Sequence, residues 1–245
     1  MTDGSYKERE AELSVVVPFH NESENLPRLL VEIDSVLHGL GRAAEVILVN
    51  DGSTDSFDRP PASPRFPVFW LDLTVRSGQS AAIYYGIQEA AGRWVILLDA
   101  DLQNDPADIP ALLERLEAEG LDLITGFRRK RQDSWQRRWM SWVANRVRAR
   151  LLADRTRDTG CSLKILRRDL AKRLPGWNGM HRFIPALACG MGYRTGEHPV
   201  HHRPRHAGRS KVRPWRRALA ATIDLLGMVW LVRRQFRGRL RKPKG

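Results

Sequence analysis

Five apolar runs recur along the first half of the chain, separated by segments with helical hydrophobic spacing. The runs are continuous rather than alternately apolar and polar, which predicts strands buried on both faces. Strands that alternate with helices indicate an α/β fold, a mostly parallel sheet covered by helices on both faces. The predicted strands lie at 13–18, 45–49, 68–71, 94–98 and 121–125, and the predicted helices at 21–37, 79–91 and 109–119.

Polar motifs stand at the carboxyl ends of three of these predicted strands. They are His20-Asn21-Glu22, Asp51-Gly52-Ser53 and Asp99-Ala100-Asp101. Ligands of open parallel sheets bind at that edge of the sheet. The coincidence of motif and strand end therefore predicts a single site built from all three segments.

The pair Asp99 and Asp101 carries the sharpest chemical signal. In extended backbone, residues two apart point to the same side. Like charges held that close are costly unless a cation, or a donor such as a ribose hydroxyl, lies between them. A hard divalent ion that also binds phosphate oxygens fits this pattern. The alternative, a helix N-cap, suits Asp105 before Pro106 better.

Size and composition bound the class of protein. The 245 residues, 42% of them hydrophobic, suffice for one large α/β domain or two small ones. Two cysteines, Cys161 and Cys189, form neither a disulfide framework nor a zinc motif, which favours a reducing compartment. The first residues lack the features of a signal peptide, so we expect a cytoplasmic protein.

Charge is distributed unevenly along the chain. The net charge is +13, made of −7 over residues 1–100 and +20 over residues 101–245. This asymmetry favours an anionic partner on the C-terminal side: nucleic acid, anionic lipid or a phosphorylated substrate, with a merely solvated basic surface as the alternative.

The C-terminal segment holds an apolar stretch at 218–232 with arginines on both sides. The stretch is shorter than the ~20 residues needed to cross a bilayer. This pattern predicts a basic amphipathic helix that lies in the membrane interface or docks on a partner, such as an integral membrane protein. A plain core helix is the alternative. We accordingly divide the chain into 1–212, the main domain, and 213–245, an interfacial helix and tail.

Seven short motifs follow one another between Leu13 and Lys211. They are Val17-Pro18-Phe19-His20-Asn21-Glu22, Val49-Asn50-Asp51-Gly52-Ser53-Thr54-Asp55, Arg76-Ser77-Gly78-Gln79-Ser80-Ala81-Ala82, Asp99-Ala100-Asp101-Leu102-Gln103, Gly126-Phe127-Arg128, Asp158-Thr159-Gly160-Cys161-Ser162 and Arg205-His206-Ala207-Gly208-Arg209-Ser210-Lys211. In this order they resemble the family 2 glycosyltransferases, in the branch of dolichol-phosphate mannose synthases and bacterial polyisoprenyl-phosphate glycosyltransferases.

The resemblance implies a Rossmann-like fold of the GT-A type. It also implies an inverting transfer, dependent on Mg²⁺ or Mn²⁺, from a nucleotide-sugar to a polyisoprenyl phosphate. The expected setting is cell-envelope biosynthesis, with the enzyme peripheral at the inner face of the cytoplasmic membrane. A saccharide or other cell-envelope acceptor is the alternative.

Two other classes of protein fit the sequence less well. A nucleic-acid-binding protein is supported only by charge, since no recognition module or stacking platform is present, and we expect no nucleic-acid partner. A phosphohydrolase would carry its Asp-x-Asp motif after the first strand with a following Thr, whereas here the motif follows the fourth strand.

The resemblance also assigns site residues. The nucleotide pocket comprises Pro18, Asn21, Glu22, Asp51, Ser53, Gly78 and Asp99, with Asp51 accepting hydrogen bonds from the base. The metal ligands are Asp99, Asp101 and Gln103, and the catalytic residues are Asp99, Asp101, Arg128 and Asp158. The acceptor phosphate is held by Arg205, Arg209 and Lys211. An ionised lipid phosphate needs no general base, so none is assigned.

Overall fold

The computed structural model describes residues 11–55, 65–128, 151–152, 156–203 and 214–234. The described residues form one seven-stranded sheet of order β3-β2-β1-β4-β6-β5-β7. The strands are β1 (Leu13–Phe19), β2 (Ala44–Asn50), β3 (Val68–Asp72), β4 (Trp94–Leu97), β5 (Leu123–Arg128), β6 (Lys164–Arg167) and β7 (Thr195–Val200).

Most strand pairs in the sheet are parallel, as predicted. Strands β1, β2, β3 and β4 pair in parallel, as do β5 and β7. Strand β6 is antiparallel to both of its neighbours, β4 and β5. The reversed strand brings the segment before Lys164 to the carboxyl end of β4, beside Asp99.

Helices cover both faces of the sheet. They are α1 (Leu26–Leu40), α2 (Gln79–Glu89), α3 (Ile109–Ala118), α4 (Arg168–Lys172), α5 (Ile184–Gly190) and α6 (Pro214–Arg234), with 3₁₀ turns at Pro106–Asp108 and Met180–Arg182. In β1, Val15 and Val17 belong to the core under α1 and α3, while Val16 belongs to the core under α2 and α5. This period of two explains why a buried strand reads as a continuous apolar run.

The predicted start of the first helix at Asn21 is wrong. Helix α1 begins at Leu26 with Asn25 as N-cap. Asn21 has a left-handed φ of 55°, and its side chain bonds to the loop after β2: Oδ1 accepts from the Thr54 N–H at 2.8 Å and Nδ2 donates to Thr54 Oγ1 at 3.1 Å. Asn21 therefore joins two loops at the carboxyl edge of the sheet instead of capping a helix.

Helix α6 contains the predicted apolar stretch and packs on the domain by one face. Met228 is buried in the core under α2 and α5, whereas Ile223, Leu226 and Trp230 are 61%, 62% and 60% exposed. Nowhere in the described ranges does a helix have the length and hydropathy that a bilayer crossing requires. The predicted domain boundary at 212/213 lies outside the described residues.

Candidate active site

A cavity of about 290 Å³ opens at the carboxyl ends of β1, β2 and β4; we call it the Asp51 cavity. Five of the seven predicted nucleotide-site residues line it: Pro18, Glu22, Asp51, Gly78 and Asp99. His20, Arg76 and Gln79 line it as well and were not singled out from the sequence. The strand-end motifs thus meet at one edge of the sheet, as their positions predicted.

The buried Asp51 carboxylate fixes the loop that leads into α2. Its Oδ1 accepts from the Ser77 N–H at 2.6 Å, and both oxygens accept from the Gly78 N–H at 3.0 and 2.9 Å. Gly78 has a φ of 93°, a conformation that favours glycine. The Asp51 oxygens therefore hold the loop that forms the cavity wall at Gly78, and a contact between Asp51 and the base stays a prediction.

Asn21 and Ser53 lie behind the cavity wall. The Asn21 N–H donates to Ser53 Oγ at 3.0 Å, and the Ser53 N–H donates to Asn50 Oδ1 at 2.9 Å. Neither residue is among those that line the Asp51 cavity. Their geometry suits a supporting role for the loops that carry Glu22 and Asp51.

The two aspartates after β4 lie on a turn, so the expected extended geometry is wrong. The strand ends at Leu97 and the chain turns at Ala100 and Asp101, yet both Asp99 and Asp101 still line the Asp51 cavity. Gln79 Nε2 donates to Asp99 Oδ1 at 2.7 Å. Burial, reinforced by the Asp101 charge, raises the pKa of Asp99 to about 6.

This pair of carboxylates fits a divalent cation. A bound cation between them would offset both the burial of the Asp99 carboxylate, the main cause of its raised pKa, and the smaller effect of the Asp101 charge; oxygen ligands are what Mg²⁺ and Mn²⁺ prefer. The described part of the chain contains no group of three or more His, Cys, Asp or Glu side chains arranged for a metal. Oxygens from Gln103 or from a bound diphosphate would therefore complete the ligand set.

A second cavity, of about 440 Å³, lies on the other side of Asp99; we call it the His181 cavity. It shares Gln79 and Asp99 with the Asp51 cavity. Three basic side chains line it: Arg157, Lys164 and Arg182, together with His181. Sequence reasoning missed all four, because nothing in the pattern around them marks a strand end.

Lys164, the first residue of β6, is buried in the wall of the His181 cavity. Its Nζ donates to the Cys161 carbonyl oxygen. Burial lowers the pKa of Lys164, while the Asp99 and Asp158 carboxylates favour its charged form. The antiparallel course of β6 is what brings this cation next to the acidic pair.

Arg128 and Asp158, both predicted as catalytic, form a two-pronged ion pair. Arg128 Nε donates to Asp158 Oδ2 at 2.6 Å, and Nη2 donates to Oδ1 at 2.9 Å. The Gly160 N–H also donates to Oδ1, at 3.1 Å. The carboxylate thus fixes the guanidinium at the end of β5, and Asp158 itself lines the His181 cavity.

The segment that follows β7 lies beside the acidic turn, by which we mean residues 99–103 after β4. Asn104 and His202 form an antiparallel bridge, and the Arg203 N–H donates to the Gln103 carbonyl oxygen at 2.9 Å. Arg203 also pairs with Glu32 at 2.7 Å and with Asp105 at 2.6 Å. The predicted acceptor residues Arg205, Arg209 and Lys211 lie outside the described residues.

The mixed sheet, with helices on both faces and two cavities that meet at Asp99, has the architecture of the GT-A type. The chain belongs to glycosyl transferase family 2, whose model matches residues 14–174. The family predicted from the seven motifs is thereby confirmed.

Two curated relatives illustrate the branch. The chain is 37% identical over 237 residues to the dodecaprenyl-phosphate galacturonate synthase of Rhizobium johnstonii, covering 92% of this chain and 69% of the relative. It is 40% identical over 203 residues to the undecaprenyl-phosphate 4-deoxy-4-formamido-L-arabinose transferase of Pseudomonas aeruginosa, covering 81% of this chain and 60% of the relative.

The fold is shared with solved structures of lower sequence similarity. Glucosyl-3-phosphoglycerate synthase from Mycobacterium tuberculosis, in complex with Mn²⁺, UDP-glucose and phosphoglyceric acid, superposes with a TM-score of 0.63 at 20% identity. The match covers 90% of this chain and 79% of that one. This likeness establishes the architecture, the GT-A-like sheet with its helices.

Proposed function

We propose that this chain transfers a sugar from a nucleotide-sugar to a polyisoprenyl phosphate, with inversion at the anomeric carbon. The observation that carries the proposal is the meeting of two cavities at Gln79 and Asp99. One cavity suits the nucleotide, and the other leaves room for the reacting groups beyond the diphosphate. The two curated relatives are named for polyprenyl phosphates, which supports this class of acceptor.

A divalent cation, Mg²⁺ or Mn²⁺, would be held by Asp99, Asp101 and Gln103. When bound, it neutralises charge that develops on the departing diphosphate. Asp99 and Asp101 line the cavity where that diphosphate would lie, and the backbone N–H of Gln103 bonds to Asp101 Oδ1 at 3.2 Å. Without a cation, burial and, to a smaller extent, the Asp101 charge disfavour the ionised form of Asp99 and raise its pKa.

The chemistry requires few groups from the protein. An oxygen of the acceptor phosphate forms a bond to the anomeric carbon, while the bond from that carbon to the β-phosphate oxygen breaks and the nucleoside diphosphate leaves with the electron pair. The phosphate nucleophile is already ionised, so no base removes a proton. Arg128, oriented by Asp158, supplies positive charge where the transition state is most anionic.

The acceptor phosphate would be bound by Arg205, Arg209 and Lys211. Arginine forks suit two-pronged contacts with phosphate oxygens. The described chain reaches Arg203, two residues before Arg205, directly beside Gln103.

The membrane contact would be made by segment 213–245, at the inner face of the cytoplasmic membrane. Ile223, Leu226 and Trp230 recur at helical spacing and are all more than half exposed. The Arg234 guanidinium lies over the Trp230 ring at 5.2 Å. An exposed apolar stripe flanked by basic sequence is typical of a helix that lies in an anionic interface.

A transfer assay tests the proposal. The protein is incubated with Mg²⁺ or Mn²⁺, undecaprenyl phosphate in detergent, and a panel of radiolabelled uridine- and guanosine-linked sugars. We expect one donor to yield a labelled lipid whose anomeric configuration, read by NMR, is opposite to that of the donor. Transfer to soluble saccharides but not to the lipid phosphate would replace the acceptor assignment, and a retained configuration would contradict inversion.

A further inference from the structure

His181 lies in a 3₁₀ turn, Met180–Arg182, on the wall of the His181 cavity opposite the acidic pair. Its Nδ1 is 2.7 Å from the hydroxyl oxygen of Ser80, a buried residue in the first turn of α2. The same Ser80 oxygen accepts from the Gly179 N–H at 2.9 Å. One serine thus connects the cavity wall to the helix that also carries Gln79.

These contacts favour one tautomer of the His181 ring. The Gly179 N–H occupies one acceptor lone pair of Ser80 Oγ, and the Ser80 hydroxyl proton can donate to His181 Nδ1. Among the described residues, His181 Nδ1 is the acceptor found within reach of that hydroxyl. With the Ser80 hydroxyl as the donor, Nδ1 is the acceptor and the ring N–H is on Nε2; this is the tautomer that we assign.

The surroundings keep this imidazole uncharged. Burial, together with the charges of Arg182 and Lys164, lowers the pKa of His181 to about 3. Within the described part of the chain, no protein acceptor lies within hydrogen-bond distance of Nε2. The His181 cavity thus contains a neutral N–H donor whose orientation is fixed by Ser80 and which has no protein partner.

We propose that His181 Nε2–H donates a hydrogen bond to a hydroxyl oxygen of the sugar that is transferred. This inference rests on the proposed function and names a specificity-determining contact of the same site. The cavity continues from the nucleotide side at Gln79 and Asp99, so the group attached to the diphosphate enters it first. A neutral donor suits a sugar hydroxyl, whereas phosphate oxygens are better matched by the guanidinium groups nearby.

The test compares donor binding with and without the sugar. Calorimetry measures the affinity for two ligands: the nucleoside diphosphate alone and the nucleotide-sugar that the transfer assay selects. The proteins compared are wild type, His181→Ala, His181→Gln, Ser80→Ala and His38→Ala. His38, exposed on α1, is the matched control. We expect His181→Ala to weaken nucleotide-sugar binding by about threefold to tenfold and to leave the diphosphate unchanged.

The other variants separate a direct contact from a structural effect. His181→Gln keeps an N–H of similar reach and should recover part of the loss. Ser80→Ala frees the imidazole to take its other tautomer and should lose selectivity for the sugar without changing diphosphate affinity. His38→Ala should match wild type in both measurements.

Several outcomes would overturn the contact. The first is equal affinity of wild type and His181→Ala for the nucleotide-sugar. The second is a higher KM of His181→Ala for undecaprenyl phosphate with its donor affinity unchanged, because the imidazole would then contact the acceptor. Equal losses for sugar and bare diphosphate would indicate a structural role. If the wild type transfers sugar from no nucleotide-sugar of the panel, the proposed function itself fails, and the contact that rests on it fails with it.

Discussion

Asp158 binds Arg128 with both carboxylate oxygens, at 2.6 and 2.9 Å, in a pocket where the aspartate side chain is only 6% exposed. A second pair with the same two-pronged geometry, Arg167 and Asp169, lies on the surface, where the aspartate side chain is 54% exposed. The chain therefore contains a buried ion pair at the site and an exposed counterpart away from it.

We expect Asp158→Asn to impair both stability and turnover. Removing one partner of a buried pair leaves an uncompensated charge and costs about 3–5 kcal/mol. A misplaced Arg128 should also lower kcat by about a hundredfold, with little change in donor KM. Urea unfolding and steady-state kinetics measure the two effects.

The matched control is Asp169→Asn, which breaks the exposed pair. It should cost less than about 1 kcal/mol and leave kcat near the wild-type value. If Asp158→Asn and Asp169→Asn had equal effects, neither the burial of an ion pair nor its position at the site would influence stability or kcat.

Asp101→Ala should abolish transfer without unfolding the protein, because the residue lies on a turn after β4 and contributes little to the core. Mn²⁺ binding, followed by electron paramagnetic resonance, should be lost together with activity. Glu114→Ala, an exposed carboxylate on α3, serves as the control and should retain both. Near-normal turnover of Asp101→Ala, or full wild-type activity in EDTA, would rule out the metal assignment.

The raised pKa of Asp99 predicts a pH dependence of stability in EDTA. The folded protein holds this proton up to about pH 6, whereas an unfolded chain releases it near 3.8. The stabilising contribution of protonated Asp99 to folding is therefore present below pH ~4 and is lost as the pH rises through ~6. The difference in Tm between wild type and Asp99→Asn (wild type minus variant) should therefore decrease as the pH rises across this window. A difference that stays flat or rises would contradict the assignment.

Asp51→Asn should weaken binding of the nucleoside diphosphate, because it removes the carboxylate charge and replaces one of the two acceptor oxygens that face the Gly78 N–H with an NH2 donor. Losing a hydrogen bond to a charged group costs about 1.5–3 kcal/mol, roughly tenfold to a hundredfold in affinity. Calorimetry measures this, with Glu114→Gln, at an exposed carboxylate of α3, as control. Unchanged affinity in Asp51→Asn would show that the loop holds its shape without this carboxylate.

Replacing Ile223, Leu226 and Trp230 together by Ser should release the protein from anionic liposomes. Each exposed apolar side chain contributes on the order of 1.5–3 kcal/mol when buried, so partitioning should fall at least tenfold. Rising salt should weaken the wild-type contact too. Val31→Ser, which removes an exposed apolar residue of α1, should bind like wild type. If the triple variant still sediments fully, α6 is not the membrane contact.

The sequence by itself determined the fold class and the edge of the sheet that carries the site. Continuous apolar runs such as 94–98 form strands buried on both faces, because each face is covered by helices. A polar residue right after such a run lies at the strand end, which is why Asp51 and Asp99 were found. These are local properties, readable from neighbouring residues.

Only the tertiary structure decided which groups line the second cavity and what the polar groups contact. His181 and Lys164 enter the site because β6 runs antiparallel and the turn before α5 packs on α2, contacts that span about a hundred residues of sequence. The predicted helix over 21–37 starts too early, because the Asn21 side chain bonds to Thr54, which is far along the chain. The spacing of residues in the sequence indicates local geometry, whereas the packing of distant segments determines which side chains form hydrogen bonds.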